Sequence, residues 1–241
     1  MISPLRSGVA RLVLDRLMLP RKPRFWPMVE EALRGRHGIE IAGPSPPFEA
    51  GGPMPVYPIV GSLENYGFHA ANGAFQFSGR AGRSHITDAS ALPLGDETCD
   101  FVISSHVLEH FANPLRALRE WHRVLRLGGL LFTLLPHGAR TFDHRRPVTP
   151  WHHLLADFER QMPETDPTHI ADTLRLTDTR HWSFNASPGW RDEFEQNTQG
   201  RNVHHHVFDL PLASKAASFA GFRILAAEYA FPFHIAVLAT K

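Results

Sequence analysis

Histidine is the residue type with the clearest chemical potential in this sequence, which holds 16 histidines among 241 residues. Imidazole has an unperturbed pKa close to neutrality, so its ring can accept a proton in catalysis or bind a metal ion. His106 follows an apolar segment, His144 lies in a stretch rich in charged residues, and residues 204–206 are three consecutive histidines. We therefore take His106, His144 and His205 as candidate general bases.

The same histidines also allow a metal site. His204 and His206 would point to one side of an extended chain. Further potential ligands are Asp143, His144, His152 and His153. No H-E-x-x-H or comparable zinc spacing occurs, so we expect no metal at the functional site. A zinc-dependent hydrolase, which would carry stoichiometric metal, is kept as an alternative function.

Composition excludes several classes of protein. With 43% hydrophobic residues and a net charge of +1, the chain is expected to fold and lacks the basic surface that nucleic acid binding requires. The lone Cys99 excludes a disulfide scaffold and a cysteine-rich zinc module. No apolar run is long enough to cross a bilayer.

The first residues form an amphipathic basic segment without the apolar core of a secretory signal, so we expect a cytoplasmic protein. Residues 1–21 either pack across the edge of the domain or make weak contact with an anionic membrane or a partner. The sequence does not indicate an oligomeric state.

The elements that would position the candidate residues alternate between strands and helices. Apolar runs at residues 38–42, 54–60 and 101–105 predict strands. Asn113 and Pro114 then begin an amphipathic helix that leads into a strand at 130–135, which indicates a right-handed parallel βαβ unit. A helix at 210–220 and two final strands predict an antiparallel hairpin at the end.

Polar or small residues recur where these strands end, which is where open α/β sheets bind ligands. Glu40 and Gly43 belong to the first strand and its turn, and Glu64 follows the second. Asp88 ends the third, and the fourth is followed by Ser104, Ser105 and His106. A carboxylate such as Glu64 could accept hydrogen bonds from a ribose, and Asp88 could lie beside an adenine amino group.

Residues 86–137 resemble the middle of class I S-adenosylmethionine-dependent methyltransferases. The resemblance rests on several motifs in the family's order, namely Asp88, Leu92-Pro93, Asp100-Phe101, Leu108-Glu109-His110 and Gly128-Gly129. It implies an α/β Rossmann-like fold, a doubly wound and mostly parallel seven-stranded sheet with an antiparallel last strand. The corresponding division is an N-terminal helical segment at 1–37, a core at 38–137 and 204–241, and an inserted cap at 138–203.

The resemblance also implies S-adenosylmethionine as cofactor and a role for each matching residue. Glu40, Ala42, Gly43 and Pro44 occupy the first motif, Glu64 the place of a ribose acid, and Asp88 with Ala89 the edge of adenine. Ser104, Ser105 and His106 would lie beside the methionine moiety. The sequence departs from the family at Ala42 and Pro44, where glycines are usual, and Pro44 has no N–H to offer.

We therefore predict a methyltransferase that acts on a small-molecule or saccharide-containing acceptor, by O-methylation. A hydroxyl acceptor needs a base, which His106, His144 or His205 could supply. Residues of the insert that could bind the acceptor are Arg140, Arg145, Arg146 and Trp151. A non-catalytic binding protein of the same fold remains an alternative. A nicotinamide dehydrogenase is disfavoured because no G-x-G-x-x-G follows the first strand.

Overall fold

A twisted mixed sheet forms the centre of the computed structural model, which describes residues 21–68, 73–77, 79–185 and 188–241. Its strands are β1 (His37–Ile41), β2 (Ser62–Gly67), β3 (Gly73–Phe77), β4 (Arg80–Ile86), β5 (Cys99–Ser105), β6 (Leu125–Pro136), β7 (Arg223–Ala230) and β8 (His234–Thr240). The order across the sheet is β3-β4-β2-β1-β5-β6-β8-β7.

Six strands, β4, β2, β1, β5, β6 and β7, run parallel, and β8 is antiparallel to both of its neighbours. The predicted seven-stranded, mostly parallel sheet with an antiparallel last strand is confirmed. A further strand, β3, pairs antiparallel with β4 and extends the sheet to eight strands. The sequence around β3 is interrupted by Gly, Asn and Ser, so it showed no strand periodicity.

Short helices surround the sheet. They are α1 (Trp26–Leu33), α2 (Pro114–Val124), α3 (Trp151–Glu159), α4 (Ile170–Leu176), α5 (Trp190–Glu195), α6 (Asn197–Gly200) and α7 (Leu210–Phe219). Capping fixes where two of them begin: the Asn113 side chain accepts a hydrogen bond from the Arg116 N–H, and the Asp209 side chain accepts one from the Leu212 N–H.

Each face of the sheet has its own hydrophobic core. Ile41, Val102 and Leu131 pack in the core that includes the buried face of α2 and α7. Phe101 and Phe132, which point to the opposite face, pack in a second core with α1. This alternation follows from the twofold period of strands that are buried on both sides.

The second strand lies later in the sequence than the apolar run at 54–60 predicts. That run forms turns, although Met54, Val56 and Val60 are buried in the core. Pro55 and Pro58 cannot donate to a β-ladder, which explains why burial here occurs without a strand.

Helices α3 to α6 all lie within residues 138–203, the predicted cap. The Asn113 side chain donates a hydrogen bond to the Asp157 carbonyl, which joins the start of α2 to α3. The division into core and cap stays a prediction. The proposed amphipathic segment lies almost entirely outside the described residues. Among those described, no helix is long and apolar enough to span a bilayer.

Candidate functional site

A cavity of about 240 Å³ opens at the carboxyl ends of the parallel strands. Its floor is formed by Ala42 and Gly43 after β1, Gly67 at the end of β2, Ala89 after β4 and His106 after β5. Strand order reverses between β1 and β5, which places the cavity at the topological switch point of the sheet.

The turn after β1 brings the backbone close to this cavity. Ala42 adopts the left-handed conformation with φ 56°, and its N–H donates to the Tyr66 carbonyl at 2.8 Å. The Gly43 N–H donates to Asn65 Oδ1 at 2.7 Å. A Cβ on Gly43 would lie 2.1 Å from the Glu40 carboxyl carbon, so any larger residue here would displace the buried Glu40 carboxyl group.

Glu40 lies beneath this turn and is fully buried. The Tyr57 hydroxyl donates to Glu40 Oε2 at 2.7 Å, whereas Oε1 has no hydrogen-bond partner among the described residues. Burial disfavours the charged form and raises the pKa of Glu40 to about 7, although hydrogen bonds from Ser45 and Tyr57 act in the opposite direction.

Glu40→Gln is expected to make the protein more stable at pH 8 and to leave its stability at pH 4, below the unfolded pKa, nearly unchanged. In the unfolded chain Glu40 ionises near the ordinary glutamate pKa of 4.5, and in the folded protein near 7, so stability falls as pH rises through this window. The gain at pH 8 should approach about 3 kcal/mol. Urea unfolding at both pH values measures it, with Glu30→Gln, whose side chain is 39% exposed on α1, as control. Equal stability of the Glu40→Gln variant and wild type at pH 8 would contradict this account.

A second buried carboxylate, Glu109, lies beside the cavity among three histidines. Its Oε1 is 4.0 Å from His106 Nδ1, 3.8 Å from His110 Nε2 and 3.9 Å from His204 Nε2. Neither oxygen has a hydrogen-bond partner among the described residues. Burial raises the pKa of Glu109 to about 7, against the attraction of the His204 ring. Together Glu109, His110 and His204 could also hold a metal ion.

A buried ion pair with Asp143 fixes the His204 ring on the side away from Glu109. Its Nδ1 lies 2.5 Å from Asp143 Oδ2, and Asp143 Oδ1 accepts a hydrogen bond from Arg146 Nη1 at 3.0 Å. The Asp143 contact directs the other ring nitrogen of His204 towards Glu109. Such a carboxylate fixes both the tautomer and the ring orientation of a histidine.

Residues of the predicted cap close the cavity from above, among them Glu164, Arg201 and Asn202. The Arg201 guanidinium lies 4.3 Å from the centre of the Phe68 ring, and Phe68 directly follows β2. Arg201 Nη1 is 3.8 Å from Glu164 Oε2 and 4.0 Å from Asp88 Oδ1. The arrangement gives the cavity a flat aromatic wall and charged groups at its rim.

Sequence comparison connects this cavity to a known family. Residues 66–133 match the family model described as a methyltransferase domain. The chain is 32% identical over 100 residues to malonyl-[acyl-carrier protein] O-methyltransferase 1 of Coxiella burnetii. It is 41% identical over 63 residues to a probable S-adenosylmethionine-dependent methyltransferase of Mycobacterium tuberculosis. Over this part of its length the chain is therefore similar to S-adenosylmethionine-dependent methyltransferases.

These matches cover parts of each protein. The Coxiella relative is matched over 38% of this chain and 35% of its own length, and the Mycobacterium relative over 25% and 23%. The solved methyltransferase of Mesorhizobium loti, at 13% identity, aligns with 90% of this chain and 97% of its own, with a TM-score of 0.50. That likeness concerns the fold. The turn after β1 lies outside the residues matched by the family model.

Several of the predicted cofactor-binding residues do line the cavity, namely Ala42, Gly43, Ala89 and His106. Glu40 lies directly beneath them. Asp88 is at the rim, where its Oδ1 accepts hydrogen bonds from the Ser90 N–H at 2.9 Å and the Ser90 hydroxyl at 2.8 Å.

The structure does not bring Glu64, Ser104, Ser105 or Pro44 to the cavity lining. Glu64 lies within β2, where it accepts a hydrogen bond from the Tyr66 hydroxyl at 2.9 Å and lies 3.1 Å from His85 Nε2. The ribose role expected for Glu64 assumed an earlier strand. Ser104 Oγ bonds Thr133 Oγ1 at 2.7 Å inside the sheet, and Ser105 ends β5 one residue before His106.

Of the three candidate bases, only His106 lines the cavity. His144 Nδ1 contacts the Thr141 carbonyl at 3.0 Å, and its Nε2 lies 3.5 Å from Asp178. His205 is buried with Nε2 3.1 Å from the Asn197 amide nitrogen. The structure therefore places His144 and His205 away from the cavity lining, and their catalytic roles stay predictions.

The residues predicted to bind the acceptor also lie elsewhere. Arg146 pairs with Asp143, Arg145 lies 2.9 Å from Asp178, and Trp151 packs against Phe219. Neither these three nor Arg140 line the cavity. Sequence reasoning missed Arg201, Glu164 and Phe68, and it proposed no site role for His110. The buried acid in Leu108-Glu109-His110 was the available signal for the cluster.

Proposed function

We propose that this chain transfers the methyl group of S-adenosylmethionine to a hydroxyl group of a small-molecule or saccharide-containing acceptor. The observation that carries the proposal is the cavity at the switch point, which joins the glycine turn after β1 to His106 after β5. The Coxiella relative is named as an O-methyltransferase, which agrees with an oxygen acceptor.

The residues at this cavity fit a nucleoside cofactor. Ala42 keeps the left-handed turn that glycine provides in the family, and a Cβ at Gly67 would lie 2.9 Å from Ala42 Cα. The ends of β1 and β2 therefore expose backbone atoms to the cavity. Glu40 Oε1, a buried oxygen without a hydrogen-bond partner among the described residues, lies beneath this backbone. Ala42, Gly43, Gly67 and Ala89 would hold the cofactor, which supplies an electrophilic methyl group on a sulfonium when it is bound.

The polar groups at the rim would hold the nucleoside part. Phe68 follows β2, where the resemblance placed a ribose acid, and the carboxylates paired with Arg201 at the rim are those of Asp88 and Glu164. Both lie within 4.0 Å of Arg201 Nη1. Arg201 thereby orients two hydrogen-bond acceptors towards one side of the cavity.

His106 is the residue placed to accept the acceptor's proton. Its Nε2 lies 2.8 Å from His234 Nδ1, and donation of Nε2–H to His234 leaves a lone pair on Nδ1. Burial and the neighbouring His234 hold the pKa of His106 well below its usual value, so the ring is neutral at pH 7. Glu109 Oε1, 4.0 Å from Nδ1, would stabilise the imidazolium that forms.

Isothermal titration with S-adenosylhomocysteine tests the cofactor site. We expect saturable binding with one ligand per chain, weakened at least about tenfold by Gly67→Ala, because the new Cβ pushes against the backbone of Ala42. Gly51→Ala is the matched control, since a Cβ there meets nothing within 4 Å. No binding at millimolar ligand would reject the enzyme and favour a non-catalytic protein of the same fold.

The acceptor is then sought by incubating the protein with S-adenosylmethionine and candidate hydroxyl compounds. Gain of one methyl group, detected by mass spectrometry, identifies the acceptor, and fragmentation locates the methylated atom. Methylation at nitrogen or carbon would reject the oxygen assignment while leaving methyl transfer intact.

A further inference from the structure

Four metal-ligating side chains converge between α3, α4 and the segment before α7, and none of them lines the cavity. His153 and Asp157 come from α3, His169 directly precedes α4, and His206 belongs to the run of three histidines. One ligand atom of each lies within 4.8 Å of the others. We propose that these four residues bind a structural zinc ion, independently of the proposed methyl transfer.

The spacing of the ligand atoms fits a tetrahedral ion. His153 Nε2 lies 3.1 Å from His169 Nε2 and 3.3 Å from Asp157 Oδ2, and His206 Nε2 lies 3.7 Å from the same oxygen. Zinc bonds of about 2.0–2.1 Å in a tetrahedron separate neighbouring ligand atoms by about 3.3–3.4 Å. Small side-chain adjustments would bring the four atoms to that distance.

Two of the four side chains are buried with an unsatisfied polar atom. The Asp157 side chain is 4% exposed and its Oδ2 has no hydrogen-bond partner among the described residues. The His206 side chain is 0% exposed and its Nδ1 is likewise unpartnered there. Leaving a buried carboxylate oxygen without a partner is costly, and a cation at the centre of the cluster would remove that cost.

Helical geometry explains how the sequence builds half of this site. His153 and Asp157 are four residues apart on α3, so their side chains project from one face of the helix. His206 Nε2 also lies 3.3 Å from the Ala112 carbonyl, a contact that requires a proton on that nitrogen. Zinc binding at Nε2 would require the other tautomer, with the proton on Nδ1, and would replace this contact.

Two other groups could compete for the ion. One competing group also uses His169, together with Asp166 and His205. The Asp166 oxygens, however, already accept hydrogen bonds from the Thr168 N–H and hydroxyl. The cluster of Glu109, His110 and His204 offers three ligands at wider spacing. Among the groups that the described residues form, the proposed set supplies four protein ligands, the number found in closed structural zinc sites.

Bound zinc would join three separate segments of the chain. It would tie α3 and the turn before α4, both in the predicted cap, to the segment leading into α7. The ion would thus hold the cap against the sheet domain without contacting the cavity. A structural role follows because four protein ligands leave no open position for a substrate.

Metal analysis of the purified full chain by inductively coupled plasma mass spectrometry tests the site. We expect about one zinc per chain in wild type, and a zinc affinity lowered at least about tenfold by His153→Ala and by Asp157→Asn. His152→Ala is the matched control, because His152 is the exposed neighbour of His153 on the same helix. Titration of chelator-treated protein with Co²⁺ should give the intense visible absorption of a tetrahedral ion.

Several results would overturn the proposal. Absence of zinc together with no binding of added Zn²⁺ or Co²⁺ would do so. Retention of zinc in both His153→Ala and Asp157→Asn, with loss in Glu109→Gln, would assign the ion to the cavity cluster instead. The His153 side chain is 39% exposed, so its replacement should leave the fold intact even if Asp157→Asn does not. Cofactor binding by the metal-free protein is measured separately and decides the proposed function on its own.

Discussion

Replacing Asp143 by Ala should lower the free energy of unfolding by about 3–5 kcal/mol, the largest loss of stability that we expect from a single ion pair here. Asp143 contacts Arg146 Nη1 at 3.0 Å and His204 Nδ1 at 2.5 Å. The side chains of Asp143, Arg146 and His204 are 2%, 6% and 10% exposed. Removing the carboxylate leaves the Arg146 guanidinium buried without its counter-ion.

The pH dependence of this contribution follows from the folded-state pKa of Asp143. Burial alone would raise the pKa, but the His204 ring and the Arg146 guanidinium lower it to about 2, below the ordinary aspartate value of 3.8. The carboxylate therefore stabilises the folded state fully above the unfolded pKa. This stabilisation is lost as pH falls through the folded value.

Asp172→Ala provides the matched control. Asp172 pairs with Arg175 at the same three-residue spacing and a similar distance of 2.9 Å, but both side chains are about two-thirds exposed. An exposed pair is screened by water, so we expect no measurable change in stability. Urea unfolding of both variants at pH 7 makes the comparison. Equal losses in the two variants would show that burial does not set the strength of the Asp143 pair.

The parts of the fold that the sequence predicts well are those with strong local signals. Asn113 followed by Pro114 marks the start of α2, and the helix begins there. The apolar run after it forms β6, which pairs parallel with β5. The short link between the last two strands gives the predicted antiparallel hairpin of β7 and β8. In each case one short segment contains both the element and its boundary.

The second strand was misplaced because burial and strand formation are separate properties. Met54, Val56 and Val60 pack in the core from a stretch of turns. In the sequence, an apolar run that is buried in turns cannot be distinguished from one that forms a buried strand. The actual strand, β2, contains Glu64 and Asn65 and is therefore less apolar. Misplacing β2 led directly to the unsupported ribose role of Glu64.

Sequence predicts the position of a candidate residue where that residue is tied to a strand end, but not in the irregular segments between β6 and α7. His106 directly follows β5, so its position is fixed by the sheet. His144 and His205 belong to segments without hydrophobic periodicity, whose path depends on long-range contacts such as those with Asp178 and Asn197. Arg201 could not be predicted for the same reason, because its position at the cavity depends on how the insert folds.

The departure from the family's first motif has a smaller structural consequence than the sequence implies. Ala42 stands where glycine is usual, but it keeps a positive φ of 56°. A left-handed alanine costs about 1–2 kcal/mol. The Ala42 N–H bond to the Tyr66 carbonyl and the Gly43 N–H bond to Asn65 hold the turn in place. The shape of the turn is thus preserved by its neighbours rather than by its own sequence.

His106→Asn should lower kcat for methyl transfer by about 10²–10⁴-fold, the usual contribution of a general base. Asparagine is the suitable replacement because His106 has a positive φ of 55°, a conformation that asparagine tolerates better than most residues. The amide cannot accept the acceptor's proton at neutral pH. Its smaller side chain should leave S-adenosylhomocysteine affinity within a few-fold of wild type.

Steady-state kinetics at saturating S-adenosylmethionine, with the acceptor found in the mass screen, measure the effect. His144→Ala is the control, since His144 lies outside the cavity and should leave kcat unchanged. A large fall in kcat with intact ligand affinity places His106 in the proton transfer. An unchanged kcat in His106→Asn would move the base elsewhere, and His110 would be examined next because it lines the same cavity. Loss of S-adenosylhomocysteine binding in His106→Asn would instead show that the ring serves the cofactor, since a proton acceptor acts only after both ligands are bound.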